Sequence, residues 1–432
     1  MLWQAGAMDG LCRQSSAKDC RSYPLYRQGH RVMKILHLLE TARAESGGPI
    51  AVASSLGHAW ARAGHRQDLV TLDLPGEADL GDYPGELIAL GAPRRKTPSG
   101  IYRYSPDLVP WLHAHARSYD AVIVSSLWRY QARAAITGLH RIGVPYSVFT
   151  HGMLDPWFER YYPVKHWLKQ LSWWMVEGAY LRHAQNVLFT CREEMLQAQD
   201  AFWPYHVRGA VAGCGTLDVP EAEDRASHQR QIEAFHGALP AVKGKRYLLF
   251  LSRLHEKKGC DILIDAFGAV AAEDPELHLV VAGPDQVGLR SALETQARDL
   301  GLAGRVHFPG MVTGDVKFGA YRAAQAFALT SHQENFGVVV AEALACGTPV
   351  LLGNEVNVWR EVVDAGAGLA TQDNAPAAAM LARFLAMPPA ALAAMRAATR
   401  PCFLDRFHID RAAANLLSIL MADRTAPERN RP

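Results

Sequence analysis

Apolar residues along the chain form short, nearly uniform runs, separated by longer stretches with helical spacing. The strands predicted at Val32–Glu40 and Arg246–Leu251 contain the runs MKILHLLE and RYLLFL, which are typical of strands buried on both faces. Further strands are predicted at 67–72, 87–90, 121–124, 146–149, 186–190, 277–282, 306–312, 326–329 and 350–352. Stretches with a helical period alternate with these strands, as at 50–63. Strands that alternate with helices predict an α/β fold with parallel sheets.

Length and local composition divide the chain into two predicted domains. A chain of 432 residues is long enough for two domains. The stretch LDVPEAEDRASHQRQIEAFHGALPAVKGKR is charged and has no strand pattern, which predicts a linker. The predicted segments are a poorly ordered extension at 1–32, a first domain at 33–218, a linker at 219–244, a second domain at 245–402, and a C-terminal helix, Phe403–Met421, with a tail to 432. Because the extension has no periodic pattern, Met33 is a candidate for the natural start.

The overall composition and charge are those of an ordinary globular protein. Hydrophobic residues make up 49% of the chain and charged residues 20%, and the net charge of +2 gives no reason to expect nucleic acid as a partner. The seven cysteines are scattered without a CxxC pair, which favours a reducing compartment and argues against a structural zinc site or a disulfide framework. Because no apolar run reaches membrane-spanning length and a secretory signal is lacking, we expect a cytoplasmic protein.

The most informative stretch is Thr330–Val350, in which a polar turn precedes an apolar helix. Asn335 is a candidate N-cap, so the helix should begin near Phe336 or Gly337 and end at a Gly347 cap. The free N–H groups and the positive dipole end of a helix start bind anions such as phosphate groups. The pattern therefore predicts an anion site at the start of this helix.

Two carboxylates flank this helix start, Glu334 just before it and Glu342 inside it. If the segment from Glu334 to Glu342 were all helical, it would span roughly 12 Å. This is about the length of a sugar, a diphosphate and a ribose laid end to end. This spacing suggests Glu334 at a sugar and Glu342 at ribose hydroxyls. The alternative for Glu342 is a buried carboxylate satisfied by an arginine, because an unpaired carboxylate on an apolar helix is costly.

Two predicted strands end in polar side chains, at the edge where open α/β sheets bind ligands. His151 follows one of them and is the titratable group best placed to meet a reacting centre. Arg253 and Lys258 follow the other, and a basic pair of this kind clamps a diphosphate. Lys257 is the neighbour that competes with Lys258 for this role. The alternatives are a structural histidine and an exposed charged turn.

These motifs resemble those of the retaining glycosyltransferases of family 4, the glycosyl transferases group 1. The resemblance rests on ENFG at 334–337, EALACGTPV at 342–350, Arg253, Lys258-Gly259 and the GG pair at 47–48. It covers nearly all of the chain from Met33, although the first half matches only at the GG pair and at His151. The resemblance implies the GT-B fold, an α/β architecture with two Rossmann-like domains facing across a cleft.

The resemblance also implies roles for the candidate residues. The catalytic set would be His151 near the anomeric carbon, Glu334 on the donor sugar, and Arg253 with Lys258 on the leaving diphosphate. Together with the helix start, the predicted donor-binding residues are Gly48, Gly283, Met311, Val312, Asn335, Phe336, Gly337, Val338 and Glu342. The implied partners are a nucleotide-sugar donor and a saccharide acceptor.

The implied reaction moves a hexose from a nucleoside-diphosphate sugar to a hydroxyl of a lipid-linked saccharide, with retention, in polysaccharide biosynthesis. No Asp-x-Asp motif ends a predicted strand, so we expect neither a catalytic metal nor another cofactor. One alternative is a sugar-nucleotide epimerase or hydrolase on the same fold. A non-catalytic sugar-nucleotide binding protein is the other.

The stretch Pro163–Ala184 mixes lysine with tryptophan, methionine and tyrosine. Tryptophan and methionine at helical spacing are typical of a core helix. Tryptophan and tyrosine beside lysine are also typical of a helix at a membrane surface. Because family members that act on lipid-linked sugars are peripheral membrane proteins, the resemblance keeps both interpretations of this helix open.

Overall fold

Residues 31–43, 48–93, 100, 102–156, 159, 162–220, 222, 224–371 and 376–425 are described by the structure, a computed structural model. The chain divides into two compact units. The first comprises Met1–Gly215 with Ile409–Pro432, and the second comprises Thr216–His408. The extension predicted at 1–32 lies outside the described residues except for its last two positions.

The first unit is built on a parallel sheet of seven strands. These are β1 (Lys34–Leu39), β2 (Arg66–Thr71), β3 (Leu87–Ala89), β4 (Ala121–Ser125), β5 (Ser147–Phe149), β6 (Val187–Phe189) and β7 (Gly209–Val211). They lie in the order β3-β2-β1-β4-β5-β6-β7, and Ile35 of β1 is in register with Gln67 on one side and Ala121 on the other. The strand order therefore changes direction between β1 and β4.

The helices of the first unit connect these strands and cover the sheet. They are α1 (Gly48–Arg62), α2 (Leu108–His115), α3 (Tyr130–Gly138), α4 (Pro163–Ser172), α5 (Gly178–His183), α6 (Arg192–Gln197) and, from the C-terminal segment, α15 (Ile409–Thr425). A turn of π-helix, Trp173–Glu177, joins α4 to α5. In α1, the spacing of Ile50, Ala53, Leu56, Ala59 and Trp60 is helical, and all five are buried.

The C-terminal segment does not form the single helix that was predicted from Phe403 to Met421. The chain makes a π-helical turn at Phe403–Phe407 and leaves helical geometry at His408, whose N–H donates to the Phe403 carbonyl at 2.8 Å. α15 then packs on α1, where the Trp60 indole N–H donates to the Ala413 carbonyl at 3.0 Å. The first unit is thus completed by the end of the chain.

The second unit is a parallel sheet of six strands with helices around it. Its strands are β8 (Arg246–Leu251), β9 (Leu277–Ala282), β10 (Val306–Gly310), β11 (Ala326–Leu329), β12 (Val350–Leu352) and β13 (Gly368–Ala370). Its helices are α7 (Arg225–Ala238), α8 (Cys260–Val270), α9 (Arg290–Asp299), α10 (Gly314–Ala323), α11 (Val338–Ala345), α12 (Trp359–Asp364), α13 (Ala377–Leu385) and α14 (Pro389–Cys402). The order β10-β9-β8-β11-β12-β13 changes direction between β8 and β11.

The predicted linker at 219–244 is instead largely the helix α7, which belongs to the second unit. The Asp224 carboxylate caps its start by accepting from the N–H groups of Ala226 and Ser227. Gln231 and Phe235, one helical turn apart, are fully buried, and α7 packs closely against α10. Because the other positions of α7 are mostly polar or charged, the sequence pattern of this segment is that of a linker.

No single helix among the described residues is long and apolar enough to cross a membrane. The pair formed by α13 and Pro389–Phe407 meets that test of length and composition jointly, across a bend of 111°. Leu381 and Phe384 of α13 are fully buried, and α13 packs on α8.

Candidate functional site

Lys258 and Glu334 form an ion pair where two loops of the second unit meet. Lys258 lies in the loop after β8, and Glu334 lies in the loop after β11. These strands are neighbours at the point where the sheet order changes direction, the place at which open α/β sheets bind ligands. The two side chains keep 13% and 21% of their surface exposed, so a ligand can reach the pair.

The loop that carries Glu334 is held from two sides by backbone hydrogen bonds. Toward the β8 loop, the His332 N–H donates to the Lys257 carbonyl at 2.9 Å. Toward the turn after β12, the Glu334 N–H donates to the Glu355 carbonyl at 3.0 Å, and the Asn357 N–H donates to the Glu334 carbonyl at 2.9 Å. The backbone at Glu334 is therefore fixed on both sides.

Arg253 lies in the same loop as Lys258 but makes a different contact. Its side chain is exposed, and its Nη1 donates to Gln286 Oε1 at 3.3 Å. The ion pair with Glu334 distinguishes Lys258 from its neighbour Lys257, which the sequence had left as a competitor. Arg253 and Lys258 lie at one edge of the sheet, so a joint contact with a diphosphate stays a prediction.

The helix α11 begins later than predicted and with a different cap. Gly337 is its N-cap residue, with a φ of 66° that favours glycine, and no side chain caps the helix. Asn335 is therefore not the cap, and its Oδ1 accepts from Asn357 Nδ2 at 3.3 Å. Only the part from Val338 onward is helical, so the spacing of roughly 12 Å expected for an all-helical step from Glu334 to Glu342 does not apply.

Glu342 is paired inside the second unit. Its Oε1 lies 2.9 Å from Lys317 Nζ, and its Oε2 accepts from the Tyr321 hydroxyl at 3.3 Å. Lys317 and Tyr321 lie one turn apart on α10, and burial together with the Glu342 charge raises the pKa of Tyr321 well above its ordinary value. The alternative of a paired carboxylate thus holds with a lysine in place of the arginine, while the ribose contact stays a prediction.

The remaining predicted donor residues of the second unit lie at the same ends of its strands or near them. Gly283 follows β9 with a φ of 144°, and an added Cβ would lie 1.7 Å from the Ser252 carbonyl oxygen, so only glycine fits. Met311, after β10, is 48% exposed, whereas its neighbour Val312 is buried. Phe336 lies beside Phe407, with ring centroids 5.8 Å apart. Their roles toward a donor stay predictions.

In the first unit, His151 follows β5 and is held in an unusual conformation. Its φ of 48° lies in the left-handed region, and its ring stacks on Phe149 at a centroid distance of 4.3 Å. His151 Nε2 lies 2.9 Å from Ser125 Oγ at the end of β4. Burial lowers the pKa of His151 to about 3, so the ring is neutral near pH 7. Gly48, also predicted to meet the donor, is the exposed first residue of α1.

Family models match both units of the chain. A model described as glycosyl transferases group 1 matches 231–400, and a glycosyl transferase 4-like domain matches 47–212. A D-inositol 3-phosphate glycosyltransferase of Frankia alni is 33% identical over 312 residues, which cover 68% of this chain and 73% of that protein. The chain belongs to the group 1 glycosyltransferases. It is therefore an enzyme of the glycosyltransferase class.

Two other proteins show how far the similarity of this glycosyltransferase extends. The mannosylfructose-phosphate synthase of Agrobacterium fabrum is 36% identical over 123 residues, so the match spans only 27% of that protein. The structure of Anabaena HepE in complex with UDP and glucose superposes with a TM-score of 0.61 at 18% identity, covering 90% of this chain and all of that one. At this identity the match shows the fold, which is GT-B, as predicted.

A buried carboxylate that the sequence analysis missed supports the His151 loop. Glu194, on α6, accepts from the Gly152 N–H and the Thr150 hydroxyl at 2.6 Å each, through Oε1. Its Oε2 accepts from the N–H and the hydroxyl of Thr190, at 2.7 and 2.6 Å. Glu194 therefore joins the loops after β5 and β6 next to His151. Four donors surround it, which is the arrangement that a buried carboxylate needs.

Proposed function

We propose that this glycosyltransferase moves a hexose from a nucleoside-diphosphate sugar to a hydroxyl of a lipid-linked saccharide, with retention, in polysaccharide biosynthesis. The observation that carries the donor half is the Lys258–Glu334 ion pair at the strand-order change of the second unit. An ion pair of this kind offers a cation to a diphosphate and a carboxylate to sugar hydroxyls. The UDP and glucose bound to Anabaena HepE make UDP-sugars the first donors to test.

The proposed donor lies along the loops that end β8, β9, β10 and β11. Lys258 leaves Glu334 for the diphosphate and is joined there by Arg253, while Glu334 accepts from hydroxyls of the sugar. The uncapped start of α11, from Gly337 to Val338, adds N–H groups for phosphate oxygens. Glu342 takes the ribose hydroxyls, and the backbone near Met311 takes the base.

In the proposed reaction the acceptor hydroxyl attacks the anomeric carbon on the face from which the diphosphate departs. The bond between that carbon and the diphosphate oxygen breaks, the glycosidic bond forms, and the departing diphosphate receives the acceptor's proton. Lys258, Arg253 and the helix start stabilise the charge that develops on the diphosphate. Electrostatic stabilisation of the leaving group is thus the main catalytic contribution of the second unit.

We also propose that the reaction needs no metal ion. Within the part of the chain that the structure describes, no group of three or more His, Cys, Asp and Glu side chains is arranged to hold one. The two basic side chains of the β8 loop take the role of countercharge. Turnover is expected to persist after dialysis against EDTA, and an activity lost with EDTA and restored by Mg²⁺ or Mn²⁺ would refute this part.

A donor screen tests the proposal directly. Thermal unfolding is followed with UDP-, GDP- and ADP-sugars, and the preferred donor should raise the midpoint for the wild type but much less for Glu342→Ala. Lys317→Met is the companion variant, because it removes the partner of Glu342 and leaves the carboxylate. If no nucleotide sugar raises the midpoint, the proposed donor class is wrong.

The membrane part of the proposal rests on a face of α4 that is apolar and exposed. The exposed apolar residues of α4, of the π-helical turn after it and of the nearby loop, here called the tryptophan face, are Val164, Trp167, Leu168, Leu171, Trp174, Met175 and Trp203. Trp167 and Leu168 keep 67% and 66% of their surface exposed. Exposed apolar surface of this extent marks an interaction site.

The opposite side of α4 holds the helix to the first unit. Gln170 Nε2 donates to the Trp203 carbonyl at 2.6 Å, and the His166 ring stacks on Phe202 at 4.8 Å. Trp173, directly after α4, is buried. The interpretation as a core helix therefore holds for this inner side, and the tryptophan face is left without cover in the described chain.

We propose that the tryptophan face contacts an anionic membrane surface, where a lipid-linked acceptor resides. α4 contains the exposed Lys165 and no acidic residue, so its charge complements anionic headgroups. Tryptophan side chains prefer the boundary between headgroups and hydrocarbon.

Co-sedimentation with vesicles of phosphatidylserine and phosphatidylcholine at low salt tests this contact. The double variant Trp167→Gln/Leu168→Gln should lose binding, while Val287→Gln, at a residue of the second unit that is 57% exposed, should bind like the wild type. Wild-type protein that stays in the supernatant would contradict the membrane contact. A dimer that the double variant abolishes would assign the face to a second copy instead.

A further inference from the structure

A chain of side-chain hydrogen bonds crosses the first sheet and ends at His151. His151 Nε2 lies 2.9 Å from Ser125 Oγ, which lies 2.7 Å from His37 Nε2. On the other side of that ring, His37 Nδ1 lies 2.8 Å from Gln67 Nε2. The Tyr83 hydroxyl lies 3.1 Å from Gln67 Oε1 and 2.9 Å from the Gln67 carbonyl oxygen, and both oxygens are acceptors. We call these five residues the histidine chain, and it spans the point where the strand order changes direction.

The middle of the histidine chain is buried in the sheet. His37, Gln67 and Ser125 expose 0%, 2% and 3% of their surface. A polar group in such a position is costly unless it is hydrogen-bonded, and each of these side chains is bonded to the next. His37 lies on β1 between Leu36 and Leu38, where an apolar residue would pack without that requirement. His37 therefore depends on its two hydrogen-bond partners, Ser125 and Gln67.

The identity of the donors gives the histidine chain a direction. An amide nitrogen donates and does not accept, so Gln67 Nε2 makes His37 accept at Nδ1 and carry its proton on Nε2. That proton is donated to Ser125 Oγ. Among the described residues His151 Nε2 is the acceptor left for the Ser125 hydroxyl, so the hydroxyl donates to it. His151 therefore accepts at Nε2 and carries its own proton on Nδ1.

Both histidines are neutral in this arrangement. Burial, and second the proximity of His151, lower the pKa of His37 to about 3. A second proton on His37 would lie on Nδ1 and face the amide N–H of Gln67, donor against donor. The neutral state and the direction of the bonds thus support each other.

The free edge of His151 is the one that carries the proton. His151 Nδ1 makes no hydrogen bond to the residues that the structure describes, and the residue as a whole is of intermediate exposure. Stacking on Phe149 at an interplanar angle of 4° fixes the plane of the ring. Glu194, which holds the Gly152 N–H, fixes the adjoining backbone. His151 thus presents a single N–H donor in a set direction.

We infer that Ser125 and His37 are positioning residues that keep the His151 proton on Nδ1, where His151 donates it in a hydrogen bond to an oxygen of the transferred sugar. The nature of that ligand rests on the proposed function, whereas the position of the proton is a property of the protein alone. No proton is transferred in this step, because His151 keeps its N–H throughout. Because His151 Nε2 accepts from Ser125, it is not available as a general base.

Nitrogen-15 NMR of the histidine side chains tests the position of the proton. The His151 signals are identified by their loss in His151→Gln. Near neutral pH the wild type should show a protonated Nδ1 and an unprotonated Nε2 for His151, and the reverse for His37. In Ser125→Ala the His151 proton should move partly to Nε2. A wild-type His151 with its proton on Nε2, or one unchanged by Ser125→Ala, overturns the inference.

Steady-state kinetics test the consequence for catalysis. Ser125→Ala should lower kcat by about tenfold, the effect of one lost charge-neutral contact in the transition state, with little change in the donor KM. Ser125→Thr, which restores the hydroxyl, should recover most of kcat. Ser126→Ala is the matched control, because Ser126 is equally buried and its hydroxyl makes, among the described residues, a single long contact of 3.4 Å to Gln131 Oε1. Equal losses in Ser125→Ala and Ser126→Ala would overturn a specific positioning role.

The two experiments separate this inference from the proposed function. If His151→Gln keeps full activity, His151 has no role in transfer, and the proposed function loses that residue whatever the NMR shows. If His151→Gln is inactive while the NMR places the proton on Nε2, the histidine chain is wrong and the proposed function stands. His37→Gln is a second variant. It should alter the His151 signals although residue 37 is buried and contacts no ligand.

Discussion

The two sheets share one plan and differ in what they carry where their strand order changes direction. In the second unit that point holds the Lys258–Glu334 ion pair, which is open to ligands. In the first unit it holds the neutral pair His37 and Ser125, buried beneath His151. Charged side chains suit a charged diphosphate, and a buried neutral chain suits one donor that must keep its direction. The same topology thus supports an electrostatic site and a directional one.

The largest effect is expected at the charged site. Lys258→Ala should lower kcat by roughly 10²–10³-fold, because one positioned cation stabilising a leaving group contributes about that much. Glu334→Ala should behave similarly, since it removes the contact to the sugar. Lys257→Ala is the control and should stay close to the wild type. Equal losses at both lysines would show that general positive charge, and not this pair, matters.

Removal of the Glu194 carboxylate, which supports the His151 loop, should lower the stability of the first unit. Glu194→Gln replaces an acceptor of four hydrogen bonds by an amide whose N–H groups face the donors of Thr190. We expect a loss of about 3 kcal/mol in the free energy of unfolding of the first unit, measured with urea. Glu193→Gln, the neighbouring half-buried residue, should change it little. An unaffected Glu194→Gln would show that the loop is held in another way.

Acid should destabilise the first unit through His37. The unfolded state binds a proton at His37 near its ordinary pKa of 6.5, whereas the folded state resists it down to about 3. The stabilisation is therefore present above 6.5 and is lost as the pH falls, by about 2 kcal/mol at about pH 5. His37→Gln should unfold with a flatter pH dependence between about pH 7 and 5. Parallel curves for the two proteins would refute a buried neutral His37.

The smallest effect is expected at the contact between α15 and α1 in the first unit. Trp60→Phe removes the hydrogen bond from the indole N–H to the Ala413 carbonyl of α15 and should lower stability by about 1 kcal/mol. Trp167→Phe, on the exposed side of α4, is the control and should leave the unfolding midpoint unchanged. If both variants unfold alike, the contact between α1 and α15 is not a stabilising one.

The strands could be predicted because their pattern is local. Every predicted strand is present within two residues at either end, since a strand buried on both faces is a continuous apolar run. The strands that were missed, β7 and β13, have only three residues each and the sequences GAV and GLA. Such edge strands form because a neighbouring strand pairs with them. A sequence of three small residues does not indicate that pairing.

The candidate site could be predicted only as far as its motifs are contiguous. Glu334, Lys258 and Arg253 lie in runs that resemble a family signature, and the pairing of the first two follows from the neighbouring positions of β8 and β11. Lys317, the partner of Glu342, lies 25 positions away from it in sequence. His37, the partner of Ser125, lies 88 positions away. Their pairing depends on which strands and helices become neighbours, and single-residue patterns do not encode it.

The sequence by itself determined the α/β alternation, the two-unit plan, the family and the loops that carry charge, because each depends on residues within about one element of each other. The tertiary structure decided that α7 belongs to the second unit, that Gly337 begins α11, that Glu342 is paired with a lysine, and that a buried chain stands behind His151. The physical reason is that buried polar groups must find partners, and packing alone decides which ones are within reach.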